Sequence, residues 1–129
     1  MKNNQQRKIH PAMGILGILG GLGILGFIFK EPIFCSFFGF FGFCSWFWWG
    51  KLSKEQWDER LVANQLRATN KAMTACIVFI YAGMILLGNF ISSHNMALAY
   101  PLLISIVSLG YAIALNLSAY LTWKYDRED

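Results

Sequence analysis

Residues 13–49 read MGILGILGGLGILGFIF, then Lys30-Glu31-Pro32, then IFCSFFGFFGFCSWFWW. Each apolar arm is close to the roughly 17 to 25 residues that a helix needs to cross a hydrocarbon core about 30 Å thick, and the only charges sit between the arms. A membrane hairpin satisfies every residue at the turn. Pro32 would cost a helix interior about 3 kcal/mol but is well placed in the first turn of a new helix. Glu31 is expected to cap that helix at its positive end, and Lys30 to lie at the negative end of the arm before it. A cleaved signal peptide is the competing reading, because Lys2, Arg7 and Lys8 precede an apolar run. The run is long, however, and no small-x-small cleavage site follows, so the segment is read as uncleaved.

The arms differ in a way that bears on packing. Gly14, Gly17, Gly20, Gly21, Gly23 and Gly26 strip the first of side chains, and Phe37, Phe38, Phe40, Phe41, Phe43 and Phe47 crowd the second. Lipid gives no hydrophobic drive between helices, so association relies on close backbone approach and small-residue grooves. At about 100° per residue, Gly14, Gly17 and Gly21 share a face and Gly20, Gly23 and Gly26 progress round the helix. The expected packing face is therefore Gly14, Gly17 and Gly21, with Gly39 and Gly42 on the partner arm, and rings filling the glycine grooves. Ordered oligomers or a glycine-lined pore are the alternative use of such an arm.

Composition bounds the rest. The chain has 129 residues, of which 56% are hydrophobic and 14% charged, with a net charge of +4. One small membrane domain over 12–129 follows a flexible basic tail over 1–11. The basic residues flank apolar runs, which favours the positive-inside rule over nucleic-acid binding. Cys35, Cys44 and Cys76 all fall in apolar runs without metal-ligand spacing, and read as small buried hydrophobes. On an α-helix Cys35 and Cys44 would stand about 13.5 Å apart along the axis and on opposite faces, too far for a disulfide. His10 and His94 each stand alone, so no metal or other cofactor is expected.

After the hairpin, Trp46, Trp48 and Trp49 mark an interface and Gly50 is expected to end the second helix. Ser53-Lys54-Glu55-Gln56 has the form of a capping box, and no proline follows until Pro101. A helix is therefore expected from Ser53 through Lys71 without a break into the third span, its polar part projecting about 27 Å if upright. On that extension Arg60, Asn64, Arg67 and Lys71 share one face, with Trp57, Leu61 and Ala68 beside it. Trp57, Asp58, Glu59, Arg60, Asn64, Arg67 and Lys71 are the candidate contact residues for a protein partner or anionic lipid. Asp58 and Glu59 are adjacent, so they do not form a facing acid–base pair, and no other catalytic constellation is visible.

In the fourth span Ser105, Ser108 and Ala112, with Ala119 beyond, form a small-residue stripe suited to close helix packing. Asn116 is the one strongly polar side chain deep in a span, and interhelical hydrogen bonding is its expected role. The fold expected is thus all-α and integral to a membrane, with four transmembrane helices at about 12–29, 33–49, 72–91 and 97–123 and an extension over 53–71 continuous with the third. Placing both termini and residues 50–71 inside gives 10 Lys and Arg there against Lys30 alone outside, which orients both ends to the cytoplasm.

A Gly-rich arm, a GFFGFFG-like arm and then a Trp-Asp-Glu-Arg box opening a basic helix resemble a group of small bacterial membrane proteins of unknown function. The resemblance covers most of residues 13–90. In that group a similar box, here Asp58, Glu59 and Arg60, precedes a span, and the gene often neighbours a small helix-turn-helix repressor. It implies a non-catalytic accessory, regulatory or immunity-type protein in the bacterial inner membrane rather than a metabolic enzyme. Small multidrug exporters have the same size, but they need a carboxylate embedded in a span, and every Asp and Glu here falls in loops or tails. Phage holins share the small size and glycine-rich spans, so a lesion-forming homo-oligomer stands beside the exporter as the alternative.

Overall fold

The computed structural model of the chain describes residues 10–53, 58–93 and 96–128. Residues 1–9 of the expected basic tail, the Lys54-Glu55-Gln56-Trp57 stretch, His94-Asn95 and Asp129 lie outside the described residues, and with them Trp57 as a contact residue. Among the described residues all regular structure is helical. Four helices are long and apolar enough to cross a membrane: Pro11–Ile28, Pro32–Leu52, Glu59–Ile91 and Met96–Glu128. They are called here the glycine arm, the aromatic arm, the third helix and the fourth helix.

The two arms are not α-helical over most of their length. Pro11–Ile24 and Pro32–Cys44 are 3-10 helices, each passing into α-helix only at its end. The reason lies in the spacing of the glycines. A 3-10 helix has about three residues per turn, so every third side chain falls on one line, whereas on an α-helix the same steps drift by about 60° each. Gly14, Gly17, Gly20, Gly23 and Gly26 are all buried on one such line. A Cβ at each would collide in turn with Phe47, Cys44, Phe41, Phe38 and Cys35. The arms close as an antiparallel zip whose tooth spacing is three residues on both sides.

This register corrects two sequence expectations. Gly21 is exposed and a Cβ there would meet nothing within 4 Å, while Gly20 takes the packing position. Cys35 and Cys44 lie on the same face, not opposite ones, because nine residues make three turns at this pitch. Rings fill three of the five glycine gaps and thiols the other two.

The eclipsed pitch also stacks the aromatic arm on itself. Phe34, Phe37, Phe40, Phe43 and Trp46 form a ladder with successive ring centroids 6.0, 5.4, 5.4 and 4.8 Å apart. Such pairs contribute about 0.5–1.5 kcal/mol each beyond simple burial. The remaining line of the arm faces the fourth helix, where a Cβ at Gly42 would fall 2.7 Å from Leu115 Cδ1 and 3.6 Å from the Ala112 Cα. A Cβ at Gly39 would meet nothing within 4 Å, so that glycine makes no close approach.

The helix ends explain the breaks. His10 Nδ1 accepts from the Ala12 N–H at 3.4 Å, capping the glycine arm. At the turn Lys30 sits at φ 57°, a left-handed position just past a helix end that glycine usually fills. Glu31 occupies the N-cap of the aromatic arm without a side-chain capping bond, so its expected cap is absent. Gly50 does not end that arm, which runs to Leu52; it lets the helix approach Pro11, whose Cβ would lie 2.9 Å from an added methyl. Ser53 closes the arm, its N–H donating to the Trp49 carbonyl at 2.8 Å and its hydroxyl to that of Gly50 at 2.9 Å. The third helix is capped by Asp58, whose Oδ1 accepts from the Leu61 N–H at 2.8 Å, and it spans Glu59–Ser93. The helix expected from Ser53 thus begins at Glu59, and Ser53 ends the helix before; Lys54, Glu55 and Gln56 of the expected capping box lie outside the described residues.

The main contacts place the helices in a row: glycine arm, aromatic arm, fourth helix, third helix. The third and fourth helices interlock reciprocally. A Cβ at Gly83 would fall 2.7 Å from Ile106, and one at Gly110 would fall 2.8 Å from Ile80. Over its apolar 18-residue stretch the third helix is the most open of the four, with 11% of those residues buried against 28% in the fourth.

Candidate functional site

The polar stretch of the third helix does not project freely. Arg60 Nη2 donates to the Asp126 carbonyl at 3.3 Å, and the Thr69 and Ser118 hydroxyls are 3.1 Å apart, so this stretch lies alongside the end of the fourth helix. Leu61, Asn64, Ala68 and Ala72 form the buried stripe that makes this packing possible. That overturns the place expected for Asn64. It is 6% exposed, and its Nδ2 is sealed from solvent with no hydrogen-bond partner among the described residues. Arg60, Arg67 and Lys71 flank the buried stripe and are exposed, as are Asp58 and Glu59.

Cations and rings gather at this end of the molecule. The Arg67 guanidinium lies 4.9 Å and the Lys71 ammonium 5.2 Å from the Tyr125 ring centre. Lys51 stands 4.5 Å from the centre of the Trp48 ring and 5.3 Å from that of Trp123, and Arg127 is 4.4 Å from Trp123. Trp48 in turn packs against Tyr120 and Trp123, with centroids 5.1 and 4.9 Å away. In the sequence, no contact role falls to Lys51, Trp48, Trp123, Tyr125 or Arg127. The available signal was a Lys or Arg within a few residues of each interfacial ring.

Deeper in the row, Asn116 Nδ2 donates to the Phe41 carbonyl at 2.8 Å and to the Ala112 carbonyl at 2.9 Å. Both amide hydrogens are used, and the first bond ties the fourth helix to the aromatic arm. Ser105 is buried and its hydroxyl donates to the Pro101 carbonyl at 2.7 Å; Ala112 and Ala119 are buried, and Ser108 is half-buried. These residues serve the helix contacts. Between the third and fourth helices, toward the opposite end, an open groove of about 540 Å³ is lined by apolar residues such as Phe79, Leu86, Phe90 and Ile106. It offers no side chain that would orient a polar substrate.

Comparison with protein families, with characterised proteins and with solved structures gives no match. The fold and the site therefore define a class: an all-α protein with four helices long and apolar enough to cross a membrane. Its polar chemistry is gathered at the end where the aromatic arm and the fourth helix finish and the third helix begins.

Proposed function

We propose that this chain is a non-catalytic accessory, regulatory or immunity-type protein of a bacterial cytoplasmic membrane, with both termini inside, that works by presenting the outer face of its third helix to another protein. One observation carries the reading. Val62 and Leu66, one turn apart in the charged stretch, are 53% and 65% exposed and continue the line of exposed Met73 and Ile77 further along. Apolar side chains set among Glu59, Arg60 and Arg67 suit a helix-on-helix contact better than they suit water. The resemblance to small membrane proteins encoded beside repressors supports regulation or self-protection. The bias of basic residues supports the orientation.

A photo-reactive residue at Leu66 in the native membrane tests the contact. A discrete protein adduct that is lost on Val62→Glu with unchanged abundance is the expected result; adducts to lipid alone would refute it. Phosphatase fusions test the orientation, being active after Asn95 and inactive after Lys71. A second reading, a lesion-forming or exporting assembly of copies, is favoured by the free outer faces at both ends of the row. Expression in resting cells separates them, because the accessory protein leaves membrane potential and cation-dye efflux unchanged.

A further inference from the structure

The cluster formed by Lys51, Trp48, Trp123 and Arg127 is independent of the third-helix face. Two cations from different helices converge on one indole, each within 5.3 Å of the Trp123 ring centre. Like charges brought to one ring repel, and the ring faces offset only part of this. Neither cation has a carboxylate partner among the described residues. Glu128, beside Arg127 in sequence, is engaged 3.5 Å from Lys124. An anion within reach of both cations would offset the repulsion that the ring leaves.

The geometry points to a binding site for the phosphate of an anionic phospholipid, held between Lys51 and Arg127 with Trp48 and Trp123 as its walls. The phosphodiester supplies the missing charge and acceptor oxygens for both donors. A lipid is favoured over a free anion by the surroundings. Indoles settle at the headgroup level, and the tiled rings of Trp48, Tyr120 and Trp123 lead from the cations onto helices apolar enough to cross a membrane. An acyl chain attached to the phosphate runs in that direction.

The test uses the full chain purified in a neutral detergent, with binding read as quenching of tryptophan fluorescence by brominated lipid. Brominated phosphatidylglycerol is compared with brominated phosphatidylcholine. A preference of about tenfold for the anionic lipid is expected at low salt, shrinking as ionic strength rises. Lys51→Gln with Arg127→Gln should remove most of that preference, and Arg67→Gln with Lys71→Gln should retain it. Either single variant at Lys51 or Arg127 should give an intermediate value, which keeps the test open if the double variant accumulates poorly. Equal binding of the two lipids would overturn the site, as would loss of preference in the Arg67 and Lys71 variant alone. Full competition by millimolar inorganic phosphate would overturn the lipid and leave a free-anion site.

Discussion

Gly20 and Gly21 are neighbours in the chain, yet alanine at the two positions is expected to change stability in opposite directions. A Cβ at Gly20 would lie 2.7 Å from Phe41 Cγ and 2.8 Å from Cδ2. Those atoms belong to a ring packed 6.3 Å from the Phe38 ring, whose own neighbour is Gly23, so it has little freedom to retreat. Overpacking of this kind costs about 1–3 kcal/mol, against which replacing glycine inside a helix returns at most about 1 kcal/mol. A net loss at Gly20 of up to about 2 kcal/mol is therefore expected once the full helix gain is subtracted. At Gly21 an added methyl meets nothing, and only the gain of about 0.4–1 kcal/mol from stiffening the unfolded chain remains. The assay is unfolding of the purified protein in mixed micelles, by heat or by rising sodium dodecyl sulfate, followed by far-ultraviolet circular dichroism. Gly20→Ala should lower the midpoint and Gly21→Ala should raise it or leave it unchanged. A Gly21→Ala protein at least as destabilised as Gly20→Ala would refute the three-residue zip and restore an α-helical arm with Gly14, Gly17 and Gly21 at the contact.

Three further outcomes follow from the same geometry. Lys30→Gly removes the left-handed strain of a residue with a side chain, so the unfolding midpoint should rise by the equivalent of about 1 kcal/mol; a fall would mean that the lysine side chain is itself held. Asn64→Leu replaces an amide whose sealed Nδ2 has no partner among the described residues by a side chain of similar shape, and stability in detergent should rise by about 1 kcal/mol or more. A loss there would show that the amide has found a partner. Asn116→Ala gives up the bond to the Phe41 carbonyl, and a loss of about 0.6–1.5 kcal/mol is expected in the same unfolding assay, whereas no change would mean that this bond does not hold the fourth helix to the hairpin.

Much of the architecture is legible in the sequence because it depends on hydropathy and proline. Four apolar runs and the turn before Pro32 need no tertiary information. The failures share one cause, which is that a tertiary contact overruled a local rule. The rotation of 100° per residue misplaced Gly20 and Gly21, although glycine at every third position from Gly14 to Gly26 is visible once a period of three is considered. Ser53 carries the right side chain for starting a helix, but Trp49 and Gly50 supply carbonyls that recruit it to end one. Asn64 looks like a surface amide beside Arg60 and Arg67; only the path of the fourth helix alongside it shows that it is covered. Gly83 and Gly110 carry no packing signal in the sequence, because their roles depend on Ile106 and Ile80 of the facing helix.

The three-residue pitch of the hairpin has a consequence for its length in the bilayer. The 14 residues of Pro11–Ile24 rise about 2.0 Å each rather than 1.5 Å, which lengthens the arm by about 7 Å over an α-helix of the same composition. Rewinding any part of it to α would shorten that part, and it would also swing the next glycine about 60° off its partner. The opposite arm could follow only by rewinding to the same extent. Five matched teeth therefore make the hydrophobic length of this hairpin a joint property of both arms. Faced with a thinner membrane, the pair is expected to tilt as one rigid ribbon instead of contracting along its axis.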